Sequence, residues 1–470
     1  LRPNGDIVRS TKGVASGPVS FMRIFDTATE VIKAGGKRRG AMMGILRVDH
    51  PDIMEFITAK QNPLLLSNFN VSVAVTDDFV QALKADEKYW LVNPRNGGRV
   101  KQERALEVWD LIARSAWASG DPGVVFIDEI NRHNPTPQLG RIESTNPCGE
   151  QPLLPYESCN LGSINLSRMV SGGKINWDKL RETVRNAVNF LDNVVDANVY
   201  PLREIAEVTR ANRKIGLGVM GFADMLIMVG VPYDSEEGVK LAEQTMRFIG
   251  EEAHKKSMEI AEKRGSFPNF EASAWTKNYS AFRNATVTTI APTGSISIIA
   301  GCSSGIEPLF AVSFMRNVLN GTRLFETNNL FEQEAKERGF YSASLLEKIA
   351  RTGSVQNIVG VPPDVKRRFV TALDIEPVWH VRMQAAFQKS TDNAVSKTVN
   401  LPNQASVEQV REVFNLAERL KCKGVTVFRY GSKSEQVLYI GEVKTKEGTF
   451  VEAQSEYAGG CPTAKCPFPG

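Results

Sequence analysis

The chain has 470 residues, 42% of them hydrophobic and 23% charged, which is the ordinary balance of a globular protein. Its formal net charge is +4 against 57 basic and 53 acidic residues, too small an excess to suggest bulk nucleic-acid binding. No apolar run approaches the roughly 20 residues that cross a bilayer, so no membrane partner is expected. Six cysteines without a recognisable export signal favour a cytoplasmic location, where a disulfide would be transient and catalytic.

Helical and strand-like patterns alternate along the chain, which predicts an α/β architecture. The first predicted helix covers 21–34 and should end at Gly35 and Gly36, because glycine commonly follows a helix C-terminus. Further helices are predicted over 177–199, 236–264, 377–389 and 407–420, and strands over 71–75, 124–127, 285–291 and 424–428. After about 451 the chain becomes polar and glycine-rich, and this tail is expected to be mobile.

The most informative residues are Asn146, Cys148 and Glu150, which alternate along one short segment. In an extended or looped backbone, residues two apart point the same way, so an amide, a thiol and a carboxylate would face one space. Such a set suits hydrogen abstraction and proton transfer on a hydroxylated substrate. Cys159 follows at the start of a strand-like run, where it could approach another thiol. The alternative is that these cysteines are small buried hydrophobes, but the dense polar surroundings argue against it.

A second candidate site is the turn that follows the strand predicted over 285–291. Backbone N–H groups and hydroxyls at such a turn can bind phosphate oxygens. The segment lacks the second glycine and the lysine of a Walker A loop, so an ordinary strand-ending turn is the competing interpretation. The residues concerned are Pro292, Thr293, Gly294, Ser295, Ile296 and Ser297.

Two further segments contain reactive or charged residues whose role composition alone does not decide. Lys37, Arg38 and Arg39 lie between glycines, either as a solvated basic turn or as a loop that meets a nucleotide. Cys461 and Cys466 lie in the Gly/Pro-rich tail, where a reachable thiol pair suits thiol–disulfide exchange better than metal binding.

The remaining histidines and cysteines give no metal-site pattern in the sequence. The Glu-x-x-His motif occurs once, at Glu251 to His254, whereas a di-iron bundle needs it twice, so it is interpreted as a helix face. No Asp-x-His-x-x-Gly corrinoid signature occurs either. Cys302 and Cys422 are expected to be structural, and no metal ligands are predicted.

Taken together, these segments resemble the large catalytic subunit of ribonucleotide reductase, and most closely its adenosylcobalamin-dependent class. The similar segments follow one another in the family's order and span almost the whole chain. They are 16–22 (SGPVSFM), 35–41 (GGKRRGA), 50–53 (HPDI), 146–151 (NPCGEQ), 159–165 (CNLGSIN), 216–222 (GLGVMGF), 291–297 (APTGSIS), 391–397 (TDNAVSK) and 424–428 (GVTVF).

The resemblance implies an α/β fold, a ten-stranded barrel of two five-stranded parallel halves with its N-terminal part missing. It would occupy 1–450, followed by a redox tail over 451–470. The implied activity is reduction of ribonucleotides, with a lean towards diphosphates, to 2′-deoxyribonucleotides for DNA synthesis. The implied cofactor is adenosylcobalamin, and the implied partners are a nucleotide effector (dNTP or ATP), a thioredoxin-like reductant and a second copy of the chain.

The resemblance also implies a role for each candidate residue. Cys148 would become a thiyl radical that removes the 3′ hydrogen, Glu150 would be the general base and Asn146 would bind the ribose hydroxyls. Cys159 would be half of the reducing dithiol. The turn at 292–297 would hold substrate phosphates, the loop at 37–39 would connect effector to substrate base after an effector loop at 8–17, and Cys461 and Cys466 would relay electrons.

Two departures from the family pattern leave alternatives open. The second dithiol cysteine of the family precedes the segment at which this chain begins, so an upstream reductase fragment is expected as a partner. The oxygen-dependent class has adjacent tyrosines in its late strand, whereas this chain has Val427, Phe428 and then Tyr430. That difference favours cobalamin over a class I subunit with a metal-containing partner. A nucleotide-binding protein without turnover is the remaining alternative.

Overall fold

A computed structural model describes residues 1–8, 12–32, 40–62, 64–318, 322–432, 438–439 and 452–453. In these ranges the helices are Gly17–Val31 (α1), Ile53–Thr58 (α2), Asp77–Ala85 (α3), Ala105–Ser119 (α4), Ile127–Arg132 (α5), Trp177–Ala197 (α6), Arg203–Asn212 (α7), Phe222–Val229 (α8), Glu236–Arg264 (α9), Gly294–Ala300 (α10), Asn329–Glu337 (α11), Ala343–Thr352 (α12), Pro363–Arg368 (α13), Pro377–Gln388 (α14) and Val407–Arg419 (α15).

The strands in the same ranges are mostly short, and the longest has seven residues. They are Met42–Arg47 (β1), Phe69–Val75 (β2), Lys88–Val92 (β3), Arg99–Arg104 (β4), Gly123–Phe126 (β5), Ser144–Thr145 (β6), Pro152–Leu153 (β7), Asn160–Asn165 (β8), Val170–Ser171 (β9), Lys174–Ile175 (β10), Ile215–Met220 (β11), Ser313–Val318 (β12), Thr322–Thr327 (β13), Thr398–Leu401 (β14), Gly424–Arg429 (β15), Leu438–Tyr439 (β16) and Glu452–Ala453 (β17).

The chain divides into two compact units, and unit 1 consists of Leu1–Asn134, Gly140–Pro155 and Thr398–Ser434. Its main sheet has the order β1-β2-β5-β15-β14. The first three strands run parallel to one another, β15 is antiparallel to β5, and β14 is parallel to β15. Strands β2 and β5 are buried on almost every residue, as expected for central strands covered on both faces.

Unit 2 consists of Pro135–Leu139, Tyr156–Lys397 and the described residues after 435. Its strand pairing is also parallel around β8 and β11. An extended segment then bridges β11 in parallel at Thr288 and bridges Val395 in parallel at Ile290. Apart from the antiparallel pair β5–β15, the pairings in these two sets of strands are parallel, which agrees with the parallel halves expected from the sequence.

The long helices of unit 2 follow from clear sequence signals. α6 begins where the side chain of Asn176 accepts a hydrogen bond from the Lys179 N–H, and α9 begins at Ser235 in the same manner. Their apolar faces join one buried cluster with β8, β11 and α14, whose members include Val188, Val219 and Met246. This cluster supports β8, which directly follows Cys159, and the extended segment that leads to the turn at 292.

Most predicted elements are confirmed to within two residues at each end, which is the usual uncertainty of helix and strand limits. The first helix differs more, since it covers Gly17–Val31 rather than 21–34. Pro18 lies in its first turn, where a fixed φ favours helix initiation, and Ile32 already has an extended backbone. The segment predicted as a strand over 285–291 makes only isolated bridges.

The proposed division into 1–450 and a redox tail stays a prediction, because only 452–453 of the tail are described. In the described ranges, no helix is long and apolar enough to span a membrane.

Candidate active site

The segment with Cys148 forms the loop of a small hairpin in unit 1. β6 and β7 pair antiparallel, with Ser144 opposite Leu153, and enclose residues 146–151. Asn146 closes this loop with three hydrogen bonds: its N–H donates to Gln151 O (3.1 Å), its O accepts from Gly149 N (3.0 Å) and its Oδ1 accepts from Gln151 N (3.0 Å). Gly149 has a φ of +81°, a conformation that favours glycine. The backbone around Cys148 is therefore defined by local bonds.

The loop is also attached to the main sheet of unit 1. The side-chain amide of Asn70, on β2, donates a hydrogen bond to Pro147 O (2.8 Å). Ile142 and Leu154, which flank the hairpin, pack in a buried cluster with Ala74 and Val125. Cys148 is thus held on a packed support, as a reacting group requires.

The three candidate side chains on this loop differ in exposure. The Cys148 thiol and Asn146 are half-buried, and Glu150 is 2% exposed. Burial raises the pKa of Glu150, and a hydrogen bond from Asn146 only partly offsets the rise. The structure therefore brings the amide and the acid into contact, and the carboxylate is a stronger base than an exposed one.

Gln151, the next residue, was not singled out by the sequence. It is 3% exposed, and neither polar atom of its side chain has a hydrogen-bond partner among the described residues. Buried polar atoms normally have partners, and each exception calls for a reason. Its backbone N–H and carbonyl both bond to Asn146, so it belongs to the loop that carries Cys148 and Glu150, although the sequence around it gives no signal of its burial.

Cys159 has a half-buried thiol and lies in unit 2, directly before β8. The segment just before Cys159 is held in place, because Glu157 accepts hydrogen bonds from Lys214 Nζ (2.6 Å) and from Asn212 Nδ2 (2.6 Å). The side chains of Glu157 and Lys214 are both fully buried. This ion pair connects the entry to β8 with the start of β11.

The predicted phosphate turn also lies in unit 2, at the end of the extended segment that bridges β11. Thr293 has a left-handed backbone (φ +55°), and α10 begins at the next residue, Gly294. The hydroxyl of Ser297 contacts Gly294 O (3.1 Å) and the hydroxyl of Ser304 (2.8 Å). Ser295 and Ile296 are exposed. The segment is therefore a strained turn into a short helix rather than a plain strand-ending turn.

The structure brings together Asn146, Cys148 and Glu150 on one loop of unit 1, whereas Cys159 and the phosphate turn belong to unit 2. Other predicted residues lie outside the described ranges. These are Lys37, Arg38, Arg39, Cys461 and Cys466, together with 9–11 of the predicted effector loop. Among the cysteines expected to be structural, Cys422 is fully buried, and burial raises the pKa of its thiol to about 12.

Buried titratable clusters in unit 2 were missed by sequence reasoning. His254, interpreted only as part of a helix face, bonds Asp392 through Nε2 (2.9 Å) and Tyr279 through Nδ1 (3.1 Å). Lys397 bonds Glu307 and His380. The partners are distant in sequence, so no local pattern could have indicated them.

Comparison with known proteins identifies the class. The family model described as "Ribonucleotide reductase, barrel domain" matches residues 1–282 and 278–428. The chain therefore belongs to the ribonucleotide reductase barrel family, as its sequence motifs predicted. The solved structure of the Actinobacillus ureae class Id ribonucleotide reductase alpha subunit has the same fold, with a TM-score of 0.74 and 22% identity. The match covers 92% of this chain and 76% of that one.

More similar sequences are found among curated relatives. A protein of Thermoplasma acidophilum named "Vitamin B12-dependent ribonucleoside-diphosphate reductase" is 54% identical over 99% of this chain and 63% of its own length. A Mycobacterium tuberculosis protein of the same name is 51% identical over 100% of this chain and 67% of its own length. The chain thus spans about two thirds of the relatives it matches.

Proposed function

We propose that this chain carries the catalytic barrel of an adenosylcobalamin-dependent reductase that converts ribonucleoside diphosphates to 2′-deoxyribonucleoside diphosphates for DNA synthesis. The observation that carries the proposal is the hairpin loop, in which buried Glu150 is hydrogen-bonded to Asn146 two residues beyond the half-buried Cys148 thiol. Identity of 51% and 54% to relatives whose names give this activity supports it.

In this mechanism, Cys148 acts as a thiyl radical that removes the hydrogen atom from the ribose 3′ carbon and later returns one. Glu150 accepts the 3′-hydroxyl proton, a task favoured by its raised pKa, since general bases work best when their pKa lies near the working pH. Asn146 orients the ribose through its amide. The 2′-hydroxyl leaves as water, and the ring must then gain two electrons.

Those two electrons would come from a dithiol that ends as a disulfide. We assign one thiol to Cys159, whose approach is fixed by the buried pair of Glu157 and Lys214. The second thiol is assigned to the part of the reductase that the relatives have and this chain does not span. A thioredoxin-like donor in the cytoplasm would restore the dithiol through Cys461 and Cys466.

The described residues are compatible with a corrinoid acting near Cys148. A corrinoid brings its own nitrogen ligands, so it does not need a cluster of protein ligands, and the described residues contain no group of three or more His, Cys, Asp or Glu that could hold a metal. A Cβ added at Gly149 would meet nothing within 4 Å, so the loop has open space beside Cys148. Cys148 and Gly149 are the residues that the cofactor would meet. When bound, it would supply the radical that oxidises the Cys148 thiol.

Further partners of the reductase are assigned to other segments of the chain. The substrate phosphates are assigned to 292–297, where exposed Ser295 adjoins a left-handed turn, and a nucleotide effector to 8–17 and 37–39. A homodimer is supported by α1, whose Phe21, Ile24 and Phe25 are exposed although apolar. Sedimentation of the chain at several concentrations would test the dimer.

The test of function is conversion of CDP to dCDP by the chain combined with the remaining part of the reductase, adenosylcobalamin and a dithiol. Cys148→Ser should abolish product, because a hydroxyl cannot replace the thiyl radical at this position. Cys422→Ala, which removes a buried thiol remote in sequence from the loop, should retain most of the activity.

The controls separate the alternatives. Product that needs an iron protein instead of cobalamin would assign the chain to class I. Tight CDP binding without product in the complete mixture would identify a binding protein without turnover. Activity that survives in Cys148→Ser would contradict the radical role of Cys148.

A further inference from the structure

A buried cluster next to the phosphate turn has no part in the chemistry above. Lys397 is buried with its side chain at 0% exposure, and its Nζ donates to Glu307 Oε2 (2.5 Å) and to His380 Nδ1 (2.9 Å). An ammonium group out of water is tolerated only when hydrogen-bonded partners surround it. The cluster therefore holds three distant parts of unit 2 together at one point.

The geometry defines the state of His380. An ammonium group has donors and no acceptor, so Nδ1 of His380 must accept from Lys397. Its Nε2 then carries the hydrogen and donates to Ala372 O (3.1 Å). The neutral ring thus fixes the direction of the Lys397 side chain, and the positive charge is aimed at Glu307.

Glu307 in turn ends a loop that packs directly on the phosphate turn. The Glu307 N–H donates to Ser304 O (2.9 Å), and Gly305 N donates to Thr293 Oγ1 (2.7 Å). The hydroxyls of Ser304 and Ser297 are 2.8 Å apart. A Cβ at Gly305 would come within 2.9 Å of Ala291 O, which shows how closely this loop approaches the turn.

Thr293 depends on such support. A β-branched residue rarely adopts the left-handed conformation seen at Thr293, and it persists only when its surroundings enforce it. The hydrogen bond from Gly305 N to the Thr293 hydroxyl stabilises this conformation. Gly305 is in turn positioned by the loop that ends at Glu307. A continuous series of contacts therefore joins Lys397 to the turn.

We propose that Lys397 is a positioning residue for substrate phosphate, which shapes the turn at 292–297 through Glu307 and the loop at 303–307. It does not touch substrate, since it is fully buried. The inference rests on the proposed function, in which this turn binds the diphosphate. It predicts that loss of Lys397 raises KM for CDP and leaves the chemical step intact.

The test is steady-state kinetics of CDP reduction by the Lys397→Met variant, combined with the remaining part of the reductase, adenosylcobalamin and a dithiol. KM should rise about tenfold or more with kcat within about twofold, because displacement of a positioning group by about 1 Å costs up to about a hundredfold. Glu307→Gln, which keeps a hydrogen-bond acceptor and should fold if Lys397→Met does not, should raise KM a few-fold, roughly three- to fivefold.

Two matched controls define the result. Lys389→Met changes an exposed lysine of unit 2 and should leave KM unchanged. Arg213→Met removes another buried, ion-paired cation of unit 2 and should lower stability without raising KM for CDP. Equal KM increases in Arg213→Met and Lys397→Met would attribute the effect to general destabilisation and overturn the inference. A wild-type KM for CDP in both Lys397→Met and Glu307→Gln would also overturn the inference. Absence of CDP reduction by the wild type would instead contradict the proposed function.

Discussion

Two buried acids, one in each unit, are treated differently by their surroundings. In unit 2, burial would raise the pKa of Asp392, but the charge of His254 and the N–H groups of Val287 and Thr288 outweigh it and lower the pKa. In unit 1, burial outweighs the other influences on Glu150, and the hydrogen bond from the neutral Asn146 amide offsets only part of the rise in its pKa. Asp392 is therefore stabilised as an anion, whereas Glu150 takes up a proton more readily than an exposed glutamate does.

Unit 2 repeats this structural arrangement at other acids. Asp192 is fully buried and accepts hydrogen bonds from Arg213 (2.8 Å) and Asn284 (3.0 Å). Glu157 accepts one from Lys214. A cationic partner gives each of these buried acids a defined position, whereas burial raises the pKa of Glu150, in keeping with its proposed role as general base.

The largest effect on activity is expected from substitution of Glu150. Glu150→Gln should lower kcat for CDP reduction about 10²- to 10⁴-fold, the usual worth of a general base. The same variant should be more stable than wild type at pH 7. Because the folded-state pKa is raised, ionisation opposes folding, and stability falls as pH rises through the folded pKa.

Urea unfolding at pH 4 and pH 7 measures the stability change, which should be much smaller at the lower pH, where Glu150 is mostly protonated in both states. A variant that loses activity and stability together at pH 7 would show that Glu150 is a structural acid like those of unit 2.

A large effect on stability is expected at the pair of Glu157 and Lys214. Lys214→Met leaves the Glu157 carboxylate buried without its cation and should lower the free energy of unfolding by about 3–5 kcal/mol. The double variant Lys214→Met/Glu157→Gln should recover much of this loss. Calorimetric unfolding of the three proteins is the measurement, and a double variant as unstable as the single one would contradict the interpretation.

The smallest expected effect is at His254. Burial would lower its pKa, but Asp392 outweighs burial and raises it above the ordinary 6.5. The stability contributed by this charge is therefore complete below about pH 6.5 and is lost as pH rises through the folded pKa. His254→Gln should cost about 1–3 kcal/mol at pH 6 and less at pH 9. Urea titrations at both pH values test this, and a pH-independent difference would show that only the packing of His254 matters.

Sequence reasoning succeeded where a local pattern decides the structure. The limits of α9 match the predicted Glu236–Arg264, because Ser235 caps one end and Gly265 follows the other. The motif around Cys148 predicted the neighbours Asn146 and Glu150, which the loop brings into contact. These features depend on residues only a few positions apart.

The sequence did not predict the features that depend on distant residues. Lys397 and Glu307 are 90 positions apart and His254 and Asp392 are 138 apart. No periodicity records such partners. The left-handed Thr293 was missed for a related reason, since a threonine is a poor local signal for that conformation and contacts from Gly305 support it. The burial of Gln151 is another feature that the sequence did not predict.

The antiparallel pairing of β5 with β15 has a consequence for synthesis of the chain. Val124 lies opposite Val425, so the middle of the main sheet of unit 1 is completed by a strand made about 300 residues later. Until that strand leaves the ribosome, β5 has an open edge of unpaired N–H and C=O groups, and such edges recruit other chains. The edge of β5 is therefore open while the residues between β5 and β15 are made, and a chain shortened before 424 would leave that edge open permanently.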